Sequence, residues 1–192
     1  MYASTVTRER EIRIGGLGPL SPPGIVWAGR ELRDGMALAA QRINEAGGVL
    51  GRRLRILFED TMGTPAGGVG AVHTLLRAGV HALAGEFHSV VADAVVEPVQ
   101  RARLPFVCAS ATLDAITERR LPSVFRVAPP QSYGWRAYAD FLIAEGFRHV
   151  VALQEESLYW NEGAAVIEAR VRASGVRFTR LPVPASAPSA SV

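Results

Sequence analysis

The chain has 192 residues, 48% of them hydrophobic and 20% charged, with a formal net charge of +3. Such values belong to a folded chain with room for one or two small domains and exclude wholesale disorder. All 21 basic residues are arginine. They are scattered; only Arg52, Arg53 and Arg55 cluster, interleaved with Leu54 and Ile56, so no basic stripe for nucleic acid forms.

Cys108 is the only cysteine, so no internal disulfide is possible, and within its apolar run it reads as a small buried hydrophobe. No apolar run is long enough to cross a membrane. The opening MYASTVTREREIRIGG has neither the apolar core nor the cleavage site of a secretory signal. That leaves a mature or trimmed exported protein, or one that stays inside the cell.

Taken in order, residues 1–10 are polar and expected to be disordered. Glu11 to Gly18 alternates and predicts a first strand, followed by a Gly/Pro loop that carries Trp27. From about Gly29 to Ala46, Leu32, Met36 and Ile43 recur at helical spacing, and Gly47–Gly48 stop the helix. Arg53 to Glu59 predicts strand two, with Glu59 and Asp60 shaping the turn that follows. Thr64–Pro65 is a cap and first-turn pair, opening a helix that Gly67, Gly68 and Gly70 weaken. Val80 to Ala84 is a short strand and Gly85 to Ser89 a loop. Val91, Val95 and Val99 then mark a helix over Val90–Arg101.

The stretch Phe106 to Thr117 organises the rest. It begins as an apolar run, read as a buried strand, and breaks into Ala109, Ser110, Ala111 and Thr112. In open α/β sheets ligands sit just beyond the carboxyl ends of strands, which makes this the first candidate binding loop. A short extended piece at Val124–Val127 precedes a helix from PPQS to about Glu145. His149–Leu153 and Val176–Leu181 read as strands flanking a helix over Tyr159–Ser174. The Pro/Ala/Ser tail, 184–192, is expected to be disordered.

Strand and helix thus alternate throughout, which predicts an α/β fold of parallel sheets flanked by helices with right-handed crossovers. The division expected is lobe one over 11–120, a crossover over 121–131 and a partial lobe two over 132–183. Two strands make a poor free-standing sheet, so the second lobe is expected to be incomplete and the chain truncated.

No chemistry of an enzyme is nominated. GGLG at 15–18 lacks the spacing of a dinucleotide loop. His73, His81, His88 and His149 have no metal-ligand spacing, and Ser89 lies outside a nucleophile elbow. Neither cofactor nor metal is expected.

The segments IGGLGPLSPPG, GMALAAQRINEAGGVLGRRLRILFEDTMGTP, GEFHS, CASATLDAIT and VFRVAPP, in this order and spacing, resemble the type I periplasmic binding proteins of branched-chain amino acid uptake. The similarity runs from about Arg13 to Val183. The resemblance implies two Rossmann-like lobes with a ligand cleft between them, a small amino acid or amide ligand, and ABC permease and ATPase partners. It implies a periplasmic or extracellular location, against which the lack of a signal keeps a cytoplasmic amide-sensor-type regulator as the alternative. Carried over by register, it implies Trp27 as an aromatic over the ligand and Ser89 as a hydroxyl for its carboxylate. Ser110 and Thr112 would surround its polar groups, and Tyr159 would come from lobe two. Two departures stand out: Phe87 and His88 replace small residues beside Ser89, and Trp160 replaces the glycine usual after the tyrosine.

Overall fold

The computed structural model describes residues 11–183; the expectations for 1–10 and 184–192 lie outside the described residues. Five strands form one parallel sheet: β1 (Glu11–Gly18), β2 (Arg53–Asp60), β3 (Ala82–Gly85), β4 (Phe106–Cys108) and β5 (Val124–Arg126). Their order is β2-β1-β3-β4-β5. Between them run α1 (Val26–Glu45), α2 (Pro65–Arg77), α3 (Ser89–Ala102) and the single turn α4 (Ala115–Glu118). A second, two-stranded parallel sheet, β6 (His149–Glu155) with β7 (Arg177–Val183), is flanked by α5 (Gln131–Ala144) and α6 (Leu158–Ala173).

The main core forms where α2 and α3 lie on the first sheet. Val72 and Leu75 of α2 and Val91, Val95 and Val99 of α3 meet Leu17, Leu83, Phe106 and Cys108 from the strands. The four-residue spacing of the valines places them on one helix face, as the periodicity required. The sheet's other face is covered over β1 and β2 by α1. Phe106 and Cys108 are fully buried while Val107 is 38% exposed and Phe125 of β5 is 53% exposed. The run Phe106–Cys108 is therefore buried on one face only, not on both as an unbroken apolar run suggests. A smaller core in lobe two joins Ala139, Leu142, Ile167, Val171 and Phe178.

Two boundaries move. The helix expected from Gly29 begins three residues earlier, at Val26, because Gly29 is a packing position and not a boundary: a Cβ there would fall 1.8 Å from the Pro19 carbonyl oxygen. Trp27 thus stands in the first turn of α1 and not in the Gly/Pro loop. Val124–Arg126, placed in the crossover from sequence, pairs with β4, so the chain leaves the first sheet only at Val127. The Thr64 cap is found as expected, its hydroxyl accepting the Gly67 N–H at 3.1 Å with Pro65 opening α2.

Candidate cleft between the lobes

The strand order reverses between β1 and β3, which lie side by side while their chains leave in opposite directions. A doubly wound sheet opens a crevice at that switch point, outside the carboxyl ends of the strands. Three connections meet there: 19–25 after β1, 86–88 after β3 and 109–114 after β4. Each is held by a specific polar device.

Asp60, the last residue of β2, fixes the first. One carboxylate oxygen accepts the N–H groups of Leu20 and Met62, both at 2.7 Å, and the other accepts the Ser21 hydroxyl. Desolvation raises the Asp60 pKa, but these hydrogen bonds outweigh it and hold the carboxyl below its usual value.

Glu86 fixes the second. It is fully buried with φ at +68°. Its Oε1 accepts the N–H groups of Phe87 at 3.0 Å and His88 at 2.9 Å. Its Oε2 has no hydrogen-bond partner among the described residues. His88, not Ser89, is the N-cap of α3.

Ser89 fixes the third. It is the first helical residue of α3 and buried, and its Oγ accepts the N–H of Thr112 at 3.1 Å and of Leu113 at 3.3 Å. The Thr112 carbonyl accepts from Gln131 N–H at 2.7 Å and from the Arg126 guanidinium at 3.0 Å. Arg126 also reaches the Leu113 carbonyl at 2.6 Å and the Thr117 hydroxyl at 2.9 Å. Asp114 accepts both the N–H and the hydroxyl of Ser132, at 3.0 and 2.5 Å, joining the loop to the start of α5.

Between the lobes lies a cavity of about 580 Å³, within the size range of small-molecule sites. Ser89, Ser110 and Thr112 line it from lobe one, and Tyr159 and Trp160 from lobe two, with Phe87 and Glu155 also on its wall. Four of the five residues nominated from sequence thus share one cavity. The fifth, Trp27, lines an adjoining groove of about 410 Å³ with Met36, Phe87 and Ser110. It reaches the cleft indirectly, edge-on to Phe87 with ring centroids 5.7 Å apart. Sequence reasoning missed Glu86 and Asp114. Both are signalled only by lying inside the resembling segments GEFHS and CASATLDAIT; their partners are set by the fold. Cys108 is buried beneath the site, and desolvation pushes its thiol up to about 11, the behaviour of a packing residue.

Among the described residues no helix is long and apolar enough to cross a membrane, and no group of three or more His, Cys, Asp or Glu could hold a metal ion. The sequence profile of the family described as periplasmic binding protein matches residues 11–192. Leu/Ile/Val-binding protein homolog 3 of Brucella melitensis biotype 1 is 26% identical over 167 residues, 86% of this chain and 45% of that protein. An ABC transporter substrate-binding protein from Sphaerobacter thermophilus superposes with a TM-score of 0.76 at 28% identity, over 92% of this chain and 48% of its own. One from Desulfitobacterium hafniense, in complex with Leu, gives 0.73 at 25% identity, over 90% and 50%. The chain therefore spans about half the length of the relatives it matches. The profile, the parallel sheet and the cleft at its switch point lead to one conclusion: the chain belongs to the periplasmic binding protein family and has its type I fold.

Proposed function

We propose that this protein is the substrate-binding component of an ABC-type uptake system, taking an amino acid or a related small amide or urea into the cleft between its lobes. The observation that carries this reading is the convergence of Ser89, Ser110 and Thr112 from one lobe and Tyr159 from the other on a single cavity. It is supported by the relatives, one named a Leu/Ile/Val-binding protein homolog and another a substrate-binding protein in complex with Leu.

The chemistry fits a ligand carboxylate at the start of α3. The two hydrogen bonds that Ser89 Oγ accepts occupy its lone pairs, so its remaining capacity is the O–H donor. The first N–H groups of a helix have no intrahelical acceptor and favour negative charge. A ligand touching both lobes binds the closed arrangement better than the open one and shifts the population towards it. The closed form would be what a membrane permease and its ATPases engage, in the periplasm or outside the cell. The role is binding, with no bond made or broken.

Isothermal titration of the 192-residue chain with L-leucine, L-isoleucine, L-valine, acetamide and urea tests this. Saturable binding of one class, weakened about tenfold or more by Thr112→Val, is expected. Absence of binding across the panel and across the ring-bearing acids introduced next would overturn the reading.

A further inference from the structure

Each lobe turns an aromatic group towards the same cavity. On lobe one, Phe87 stands between Trp27 and His88, edge-on to both, with centroids 5.7 and 5.4 Å away. On lobe two, Tyr159 and Trp160 meet edge-on at 4.9 Å, and Trp135 of α5 backs them at 6.3 and 6.0 Å. Both groups are fixed by their surroundings. The backbone of Phe87 is held by the buried carboxylate of Glu86. The Ser157 hydroxyl caps α6 by accepting the Trp160 N–H at 3.3 Å. Gly163, one turn further along α6, gives Trp135 its seat: a Cβ there would come within 2.7 Å of the indole.

We infer that this cleft is shaped for a ligand carrying an aromatic ring beside a carboxylate, in preference to a branched aliphatic chain; the inference rests on the cleft being the ligand site. Edge-on neighbours immobilise a ring while leaving a face available, and a ligand ring gains from stacking or edge contact with such faces beyond the area it buries. The Ser89 O–H, a donor, requires an acceptor on the ligand, which a carboxylate supplies. An aliphatic ligand would gain burial from these walls but no ring contact. Phe87 and Trp160 stand where the resemblance leads one to expect small residues, so these two rings are added to the aromatics it implies at Trp27 and Tyr159. The probes separate an aromatic amino acid from a simple aromatic acid.

The test titrates the 192-residue chain with L-phenylalanine, 4-hydroxybenzoate and L-leucine, by calorimetry and by the fluorescence of its tryptophans. At least one ring-bearing probe is expected to bind ten or more times more tightly than L-leucine and to change the tryptophan emission. Phe87→Leu and, from the opposite lobe, Trp160→Leu are each expected to reduce that ratio at least fivefold. Two variants from separate lobes keep the test open if one fails to fold, as circular dichroism will tell. Preference for L-phenylalanine means that the ammonium is read; preference for 4-hydroxybenzoate means that it is not; both uphold the inference. Binding of L-leucine as tight as that of the tighter-binding ring-bearing probe overturns it and leaves the proposed function standing. Binding of no probe here and of none in the earlier panel overturns both.

Discussion

Replacing Ser89 by Ala leaves two N–H groups, of Thr112 and Leu113, without their acceptor in a buried setting. The expected cost is about 1–3 kcal/mol of folding stability with no ligand present, the usual cost of an unpaired buried donor. Thr112→Val keeps the backbone bonds of that residue, so in urea melts its stability loss is expected to be clearly smaller than that of Ser89→Ala. Equal losses would sink this division of labour. Glu86→Ala frees two amides as well and is expected to cost at least as much as Ser89→Ala. Asp60 sets a pH dependence. Its carboxyl titrates below the usual value because hydrogen bonds outweigh its desolvation. Its contribution is therefore complete at neutral pH and is lost as pH falls through the folded-state pKa. Asp60→Asn is expected to flatten the acid limb of the stability-versus-pH curve; an unchanged limb would show that Asp60 does not contribute. At this scale the sequence brought Ser89 and Thr112 onto the wall of one cavity, because register with the resembling segments carries position. It could not show that Ser89 holds the neighbouring loop, since its partners lie 23 and 24 residues away.

Among the elements, α2 shows where propensity misleads. Counted one by one, its glycines weaken a helix, yet they differ once the packing is known. A Cβ on Gly68 would lie 2.4 Å from Val91 of α3, whereas one on Gly70 meets nothing within 4 Å. Gly70→Ala is expected to raise stability by about 0.5–1 kcal/mol, the ordinary difference between Gly and Ala in a helix. Gly68→Ala, with the same propensity gain, is expected to lower it, because Val91 is fully buried in the main core and overpacking a core costs about 1–3 kcal/mol. Two thermal melts decide the matter. The same misreading set α1 three residues late: Gly29 looks like a boundary and is a point of contact with Pro19. Strand positions were legible because alternation and apolar runs mark them directly. The one-sided burial of β4 was not, because which faces a strand buries depends on helices that its own residues do not name.

At the scale of the molecule, the two lobes differ in what holds them. The first buries residues from four strands and three helices in one cluster, while the second has five buried residues between two helices and a two-stranded sheet. Local opening follows such differences in buried apolar contact. Amide hydrogens of β6, α6 and β7 are therefore expected to exchange well before those of β1, β3 and α3. Uniform protection across the chain would show that the lobes unfold as one unit. The alternation of elements announced an α/β fold from sequence, and the crossover expected over 121–131 announced a junction between two lobes. Its exact place was hidden because β5 is short and its pairing with β4 is a long-range choice.

The junction itself has a mechanical consequence. Thr112 is bolted to α3 through Ser89, to β5 through Arg126 and to the first residue of α5 through Gln131, and beside it Asp114 grips Ser132. The loop that lines the cavity is thus also the fulcrum on which the second lobe is mounted. A slight twist there would be geared up with distance, so α6 and β7 would sweep further than the pivot turns. On the proposed function, a solute of a few atoms seated on that loop would work at the short end of a lever whose long end is an entire lobe.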